Sequence, residues 1–115
     1  MRVRNYTGHP LTITVGNKSV TVKSEGRARI DSGIEEVGTI EFEGLEVPLI
    51  ELREKQILGL PEPEDDVIYV VSGIVATAAQ RVDVVAPSRV SREEKTGRVR
   101  ECKAFVQPRP IDKES

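Results

Sequence analysis

The chain has one histidine, His9, and one cysteine, Cys102. Acid–base chemistry near neutral pH usually recruits histidine. His9 sits in Gly8-His9-Pro10 at the head of an apolar–polar alternation, where turn geometry accounts for it, and no catalytic role is expected of it. Cys102 lies in Arg98-Val99-Arg100-Glu101-Cys102-Lys103. Flanking positive charge there would lower the thiol's pKa, but an inert strand cysteine is the simpler reading. A structural zinc needs several Cys or His ligands, which this chain lacks. Glu62, Glu64, Asp65 and Asp66 offer hard oxygen donors, yet without the alternating ligands and central glycine of a calcium loop. They read as a solvated run. No nucleophile elbow, Walker loop or Gly-x-Gly-x-x-Gly occurs. The residues therefore nominate no catalytic group, no metal and no cofactor, and favour a non-enzyme over an enzyme.

The most suggestive place follows the run Val67-Ile68-Tyr69-Val70-Val71. Ser72-Gly73 stands where a strand would enter a helix, and free backbone N–H groups at such a turn can meet an anion. Arg81 and Asp83 come just after the expected helix, near the crossover's other end. Ligands of open sheets gather outside the strands' carboxyl ends. The competing account makes Ser72 an N-cap and Arg81–Asp83 a local ion pair.

Several elements must position these residues. Leu11-Thr12-Ile13-Thr14-Val15, then Gly16-Asn17, then Lys18-Ser19-Val20-Thr21-Val22 predicts a hairpin. A two-residue loop pairs Val15 with Lys18, Ile13 with Val20 and Leu11 with Val22, which puts the apolar side chains on one face. A second hairpin runs from Gly38 to Phe42, turns at Glu43-Gly44 and returns through Leu45-Glu46-Val47. It sets Glu41 opposite Glu46, an unfavourable pair unless solvated. Pro48 marks an edge or an end, with a further short strand expected over Leu49–Leu52. Gly59 to Asp66 is a surface connector. Val67–Val71 reads as a strand covered on both faces, Gly73–Gln80 as a short helix capped by Ser72, and Val82–Ala86 as a second buried strand ended by Pro87. Ser88–Arg92 and Arg98–Val106 suggest a third hairpin. The expected fold class is α+β: a hairpin-rich mixed sheet with one short helix in a βαβ-like unit. One domain spans 1–106, and 107–115 is a flexible tail. The front ribbons are expected to shield the apolar unit Val67–Ala86.

Composition bounds the function. At 115 residues, with 37% hydrophobic and 31% charged residues, the chain has the balance of one globular domain. Two Phe, two Tyr and no Trp leave little for stacking on bases. No run reaches the roughly 18 apolar residues of a membrane span, and no signal peptide is recognised. A single cysteine requires no oxidising compartment, so a cytoplasmic location is expected. Two Asn and three Gln against 17 Lys+Arg and 19 Asp+Glu is a balance seen in thermophilic proteins. The net charge of −2 hides an asymmetry: +5 over residues 1–30, −10 over 31–66 and +3 over 81–115. With a pI near 5.5, nucleic acid is a disfavoured partner.

Asn5-Tyr6-Thr7-Gly8-His9-Pro10, Gly59-Leu60-Pro61-Glu62-Pro63, Ile68-Tyr69-Val70-Val71-Ser72 and Arg81-Val82-Asp83-Val84-Val85-Ala86-Pro87 together resemble a group of small uncharacterised proteins of bacteriophage and prophage. Those carry Asn-x-Thr-x-His, Gly-Leu-Pro, Tyr-Ile-Val-Ser and Arg-x-Asp-x-x-x-Pro elements in this order. The resemblance spans residues 5–106, with Val70 where isoleucine is familiar and Gln80 where a proline often stands. It implies an accessory protein of phage or mobile-element type and adds Asn5, Thr7 and His9 to Ser72, Gly73, Arg81 and Asp83 as candidate ligand residues. Two functions are expected to compete. One is a module that contacts a protein partner, or a second copy, through exposed edge strands. The other is a small-anion or nucleotide binder built on Ser72-Gly73 and Arg81.

Overall fold

The computed structural model describes residues 1–31, 33–52 and 54–108. In chain order these form β1 (Arg2–Asn5), β2 (Leu11–Val15), β3 (Lys18–Val22), β4 (Arg29–Asp31), β5 (Ile34–Phe42), β6 (Leu45–Leu52), β7 (Gln56–Leu58), β8 (Val67–Val70), α1 (Gly73–Ala79), β9 (Val84–Arg92) and β10 (Val99–Val106). The described residues are thus mostly strand with one short helix, an α+β fold rich in hairpins. No helix among the described residues is long and apolar enough to cross a membrane.

Six strands form one mixed sheet in the order β1-β8-β9-β10-β2-β3. β8 runs parallel to β1 on one side and to β9 on the other, where only Tyr69–Val84 and Val70–Val85 pair. β9 and β10 are antiparallel, β10 and β2 parallel, β2 and β3 antiparallel. The β2–β3 hairpin has the register that its alternation dictates, Val15 with Lys18 through Leu11 with Val22. Gly16, at φ +62°, opens its turn.

The sheet curls until its two edge strands meet. Asn5 of β1 bridges Ser24, just past β3, and the Glu25 N–H donates to the Asn5 carbonyl at 2.8 Å. Curling follows from the core as well. Leu11 of β2 packs in one cluster with Val70, Val85 and Cys102, although β2 lies three strands from β8, about 14 Å across a flat sheet. The other face of β8 and β9 carries Val67, Tyr69, Val71, Val84 and Ala86. It packs against Val75 and Ala76 of α1 and against Ala28, with Ile30 and Ile57 at its margin. A seven-residue helix is marginal by itself. This one is held by that packing, by the Ser72 hydroxyl accepting from the Val75 N–H at 3.4 Å, and by Gln80 in left-handed conformation at its C-terminus.

The expected stop at Pro87 needs correction, and of the two alternatives at Pro48 the edge holds and the end does not. β9 does not stop at Pro87, nor does it start at Val82, which is 84% exposed ahead of it. The expected second buried strand and the first arm of the third hairpin are one strand, Val84–Arg92. β8 pairs with β9 only as far as Val85, so the N–H that Pro87 lacks would face a side where no ladder remains. Pro48 likewise lies inside β6, opposite Thr39. The two-residue turn makes Phe42/Leu45 and Ile40/Val47 the hydrogen-bonded pairs. Thr39/Pro48 is then a non-bonded pair, and its missing N–H points to an open edge.

A further correction concerns shielding. The β5–β6 ribbon covers nothing. It is fully exposed along both strands and makes no substantial contact with any other element. Its stem, β4 paired with β7, touches α1, and beyond the stem the ribbon stands off the body. Of the expected tail, residues 109–115 lie outside the described residues, while the Gln107 side-chain amide donates to the Val82 carbonyl.

Candidate functional site

Asn5, at the C-terminal end of β1, is completely buried. Its Nδ2 donates to the carbonyls of His9 at 2.8 Å and Val22 at 3.0 Å, and its Oδ1 accepts from the Thr7 N–H at 2.9 Å. The Thr7 hydroxyl lies 2.6 Å from Asn5 Oδ1 and 3.0 Å from the His9 carbonyl oxygen, two acceptors that compete for its one proton. Asn5 and Thr7 therefore form a bracket that fixes the turn from β1 into β2 and ties it to the end of β3. The Asn5 amide has no group left to offer a ligand.

That bracket presents the other face of the same turn to an open cleft. Thr7, Gly8 and His9 line it on one side, Ser72, Ile74 and Val75 on another, and Arg27 through Ile30 with Arg98 complete the wall, around about 570 Å³. Its lining combines apolar residues (Ala28, Ile30, Ile74, Val75) with the bases Arg27, Arg29 and Arg98. No acid is among its described lining residues. Arg27 and Arg29 flank buried Ala28, so both project on the side away from the core. Sequence reasoning missed Arg27, Arg29 and Arg98. Their signal was the basic excess of residues 1–30 and the alternation around Ala28, but only the fold brings Arg98 to them.

Of the seven nominated residues, Thr7, His9 and Ser72 share this cleft. Gly73 lies on an adjoining shelf with Ile30, Lys55, Ile74, Thr77 and Ala78. Arg81 and Asp83 are engaged elsewhere. Arg81 Nε donates to Asp83 Oδ1 at 2.9 Å, Nη2 to Oδ2 at 2.6 Å, and Nη1 to the Pro61 carbonyl at 3.0 Å. The guanidinium also stacks over the Tyr69 ring, 5.7 Å from its centre. The Arg81 hydrogen bonds hold the Asp83 carboxyl below its ordinary value of 3.8. This pair fastens the Gly59–Asp66 connector to the core, as does the Tyr69 hydroxyl donating to the Glu62 carbonyl at 3.0 Å. Burial pushes both the Tyr69 phenol and the Cys102 thiol up, so the thiol stays protonated and unreactive near neutral pH. Among the described residues, no group of three His, Cys, Asp or Glu is placed to hold a metal ion.

The second surface is the β5–β6 ribbon. Its turn, Glu43-Gly44, has φ +52° and +78°, the two positive values of a type I′ hairpin. By the pleat, Ile40, Phe42, Leu45, Val47 and Leu49 share one face of its outer half, around Gly38. Glu41 and Glu46 lie on the reverse. At Val37 a bulge shifts the register, and nearer the body the apolar residues Ile34, Ile50 and Leu52 take the other face. Phe42 is 64% exposed. Comparison with protein-family models, with curated proteins and with solved structures finds no match.

Proposed function

We propose that the chain is a non-enzymatic accessory module, of phage or mobile-element type, that works by protein–protein contact through the β5–β6 ribbon. The observation carrying this reading is the five-residue apolar face, Ile40 to Leu49, on a ribbon that covers no core. A two-stranded ribbon alone in water is marginal at best, and contiguous exposed apolar surface marks interaction sites. Both ribbon strands also keep an open edge, which can accept a further strand. The β8–α1–β9 segment, read as a βαβ-like unit, supplies the rigid body from which the ribbon projects.

A benzoylphenylalanine photocrosslinker in place of Phe42 tests the reading in cells that carry the protein. A covalent adduct with a protein is expected. Labelling of no protein, neither another chain nor a second copy, overturns it.

A second reading is favoured by one observation, the convergence of Arg27, Arg29 and Arg98 with Thr7, His9 and Ser72 around a cleft with no acid among its described lining residues. In it the cleft takes a small anion or nucleotide, displaced from the Gly73 and Arg81 region that the sequence suggested. A thermal-shift screen with phosphate, pyrophosphate and nucleotides tests it. The melting point should rise with concentration, by about 2.7 kcal/mol of added stability at a hundred times Kd, and Arg27→Gln with Arg29→Gln should abolish the rise. A melting point unmoved by every compound removes the reading.

A further inference from the structure

We infer that the ribbon's occupant is a second copy of this chain, and that two copies exchange ribbons, each tip seating on the basic shelf at the other's ribbon stem. This rests on the proposal that the ribbon is the contact surface, and it names the partner and the docking site.

Charge is the first argument. Residues 34–52 hold six Glu and no Lys or Arg, so the ribbon is −6. The rest of the chain, with all 17 bases and the other 13 acids, is +4. Three of the six, Glu41, Glu43 and Glu46, crowd the tip. Two tips meeting head-on would set these three against three, which is unfavourable. The complement lies on the chain itself. The cleft and the shelf adjoining it share Ile30 and Ile74 and together carry Arg27, Arg29, Lys55 and Arg98, with no acid among the described residues of either lining. Among the described residues, none of these four side chains makes a hydrogen bond or ion pair, so all four charges are open to a partner.

Apolar surface is the second argument. Ile74 stands 74% exposed on α1, a position that packing against the core does not use. With Ile30 it gives the shelf an apolar surface beside the four bases. The ribbon's outer half has the matching layout, an apolar face with glutamates behind it and at its turn. Seating the tip buries Phe42 and Leu45 against Ile30 and Ile74 while the glutamates reach the surrounding bases.

Geometry is the third. A strand of nine residues reaches about 30 Å, too far out for a ribbon that stands off the body to cover the shelf at its own stem. It is a fitting reach for a neighbour lying antiparallel. One ribbon face, about 30 Å by 10 Å, offers roughly 300 Å², well short of the roughly 800 Å² per partner of a standard interface. Reciprocal exchange uses one face and one shelf from each copy, which raises the area to about 600 Å² per copy, the low end of specific interfaces, and its two-fold symmetry closes the assembly as a dimer.

The test is sedimentation of the full-length protein with two charge-reversed variants, Glu41→Lys/Glu43→Lys/Glu46→Lys and Arg27→Glu/Arg29→Glu/Arg98→Glu. All six positions are exposed, so both variants should fold, as circular dichroism checks. The native protein should be a dimer that weakens as salt screens the contact. Each variant alone should be a monomer at the same concentration. An equimolar mixture of the two should restore a dimer. A native monomer at high micromolar concentration overturns the inference, as does a dimer indifferent to both reversals. A native monomer whose residue-42 photocrosslinker still labels another protein in cells sinks the exchange but leaves the contact proposal standing. Labelling of nothing sinks both.

Discussion

Asn5 does in this fold what a disulfide or a metal does in others: it fastens the two edges of a curled sheet. Its amide supplies two donors to carbonyls 4 and 17 residues away and accepts from Thr7. Replacing it with alanine removes these three part-buried hydrogen bonds, each worth about 1 kcal/mol, and takes the Thr7 N–H's side-chain acceptor away. We expect Asn5→Ala to cost at least about 3 kcal/mol in chemical denaturation, and Asn5→Asp to cost no less, because a carboxylate would face two carbonyl oxygens. The Arg81–Asp83 pair is the next fastening. The carboxyl's pKa is lowered in the folded state, so its contribution is present above the ordinary aspartate value of 3.8 and is lost as pH falls below it. Asp83→Asn should therefore lower stability at pH 7 by about 1–2 kcal/mol. It should also flatten the decline of stability between about pH 4 and pH 2, which a urea-melt series against pH measures. Gly59 combines φ +81° with a position where a Cβ would lie 2.5 Å from the Arg27 carbonyl oxygen. Gly59→Ala should cost at least about 2 kcal/mol.

At the scale of elements, core and ribbon should answer mutation in opposite ways. Val84 is fully buried in the cluster that β8 and β9 form with α1. Truncating it to alanine is expected to cost about 2 kcal/mol and to lower Tm by about 8 °C. Ile40→Thr and Phe42→Thr, in the free protein, should change Tm by no more than about 2 °C, since these side chains pack on no layer. The same contrast explains which elements could be read from the residues. The Leu11–Val22 and Phe42–Leu45 pairings were legible because a two-residue turn and a period of two fix the register locally. What an apolar face packs against is not a local property. Alternation marked Ile40 and Val47 as a face to be buried, and nothing in residues 34–52 says that the fold leaves it bare. β1 was missed because Arg2-Val3-Arg4-Asn5 has little apolar character. Its strand is imposed by β8, more than 60 positions along. Pro87 was taken as a stop, and Pro48 as an edge or an end, because a proline's cost depends on which edge its nitrogen faces, and that is settled only by neighbouring strands. Thr7, His9 and Ser72 were named together, but Arg27, Arg29 and Arg98 join them only through the curl of the sheet.

The whole molecule is drawn out, 66 × 41 × 28 Å with a radius of gyration of 18.6 Å. A compact chain of this length would measure about 13 Å. Segregated charge accompanies that shape, with the projecting ribbon acidic and the body basic. The overall −2 and the pI of 5.5 therefore describe neither part. The proposed contact requires a ribbon free of its own body and covered by another molecule. Amide hydrogen exchange along the chain, followed against protein concentration, tests this most directly. In dilute protein, the amides of β5 and β6 should exchange at least about a hundredfold faster than those of β8 and the start of β9. Their exchange should slow as copies associate, with the core unchanged. Ribbon amides as protected as Tyr69 and Val84 in dilute monomer, or unprotected at every concentration while the protein sediments as a dimer, would contradict it.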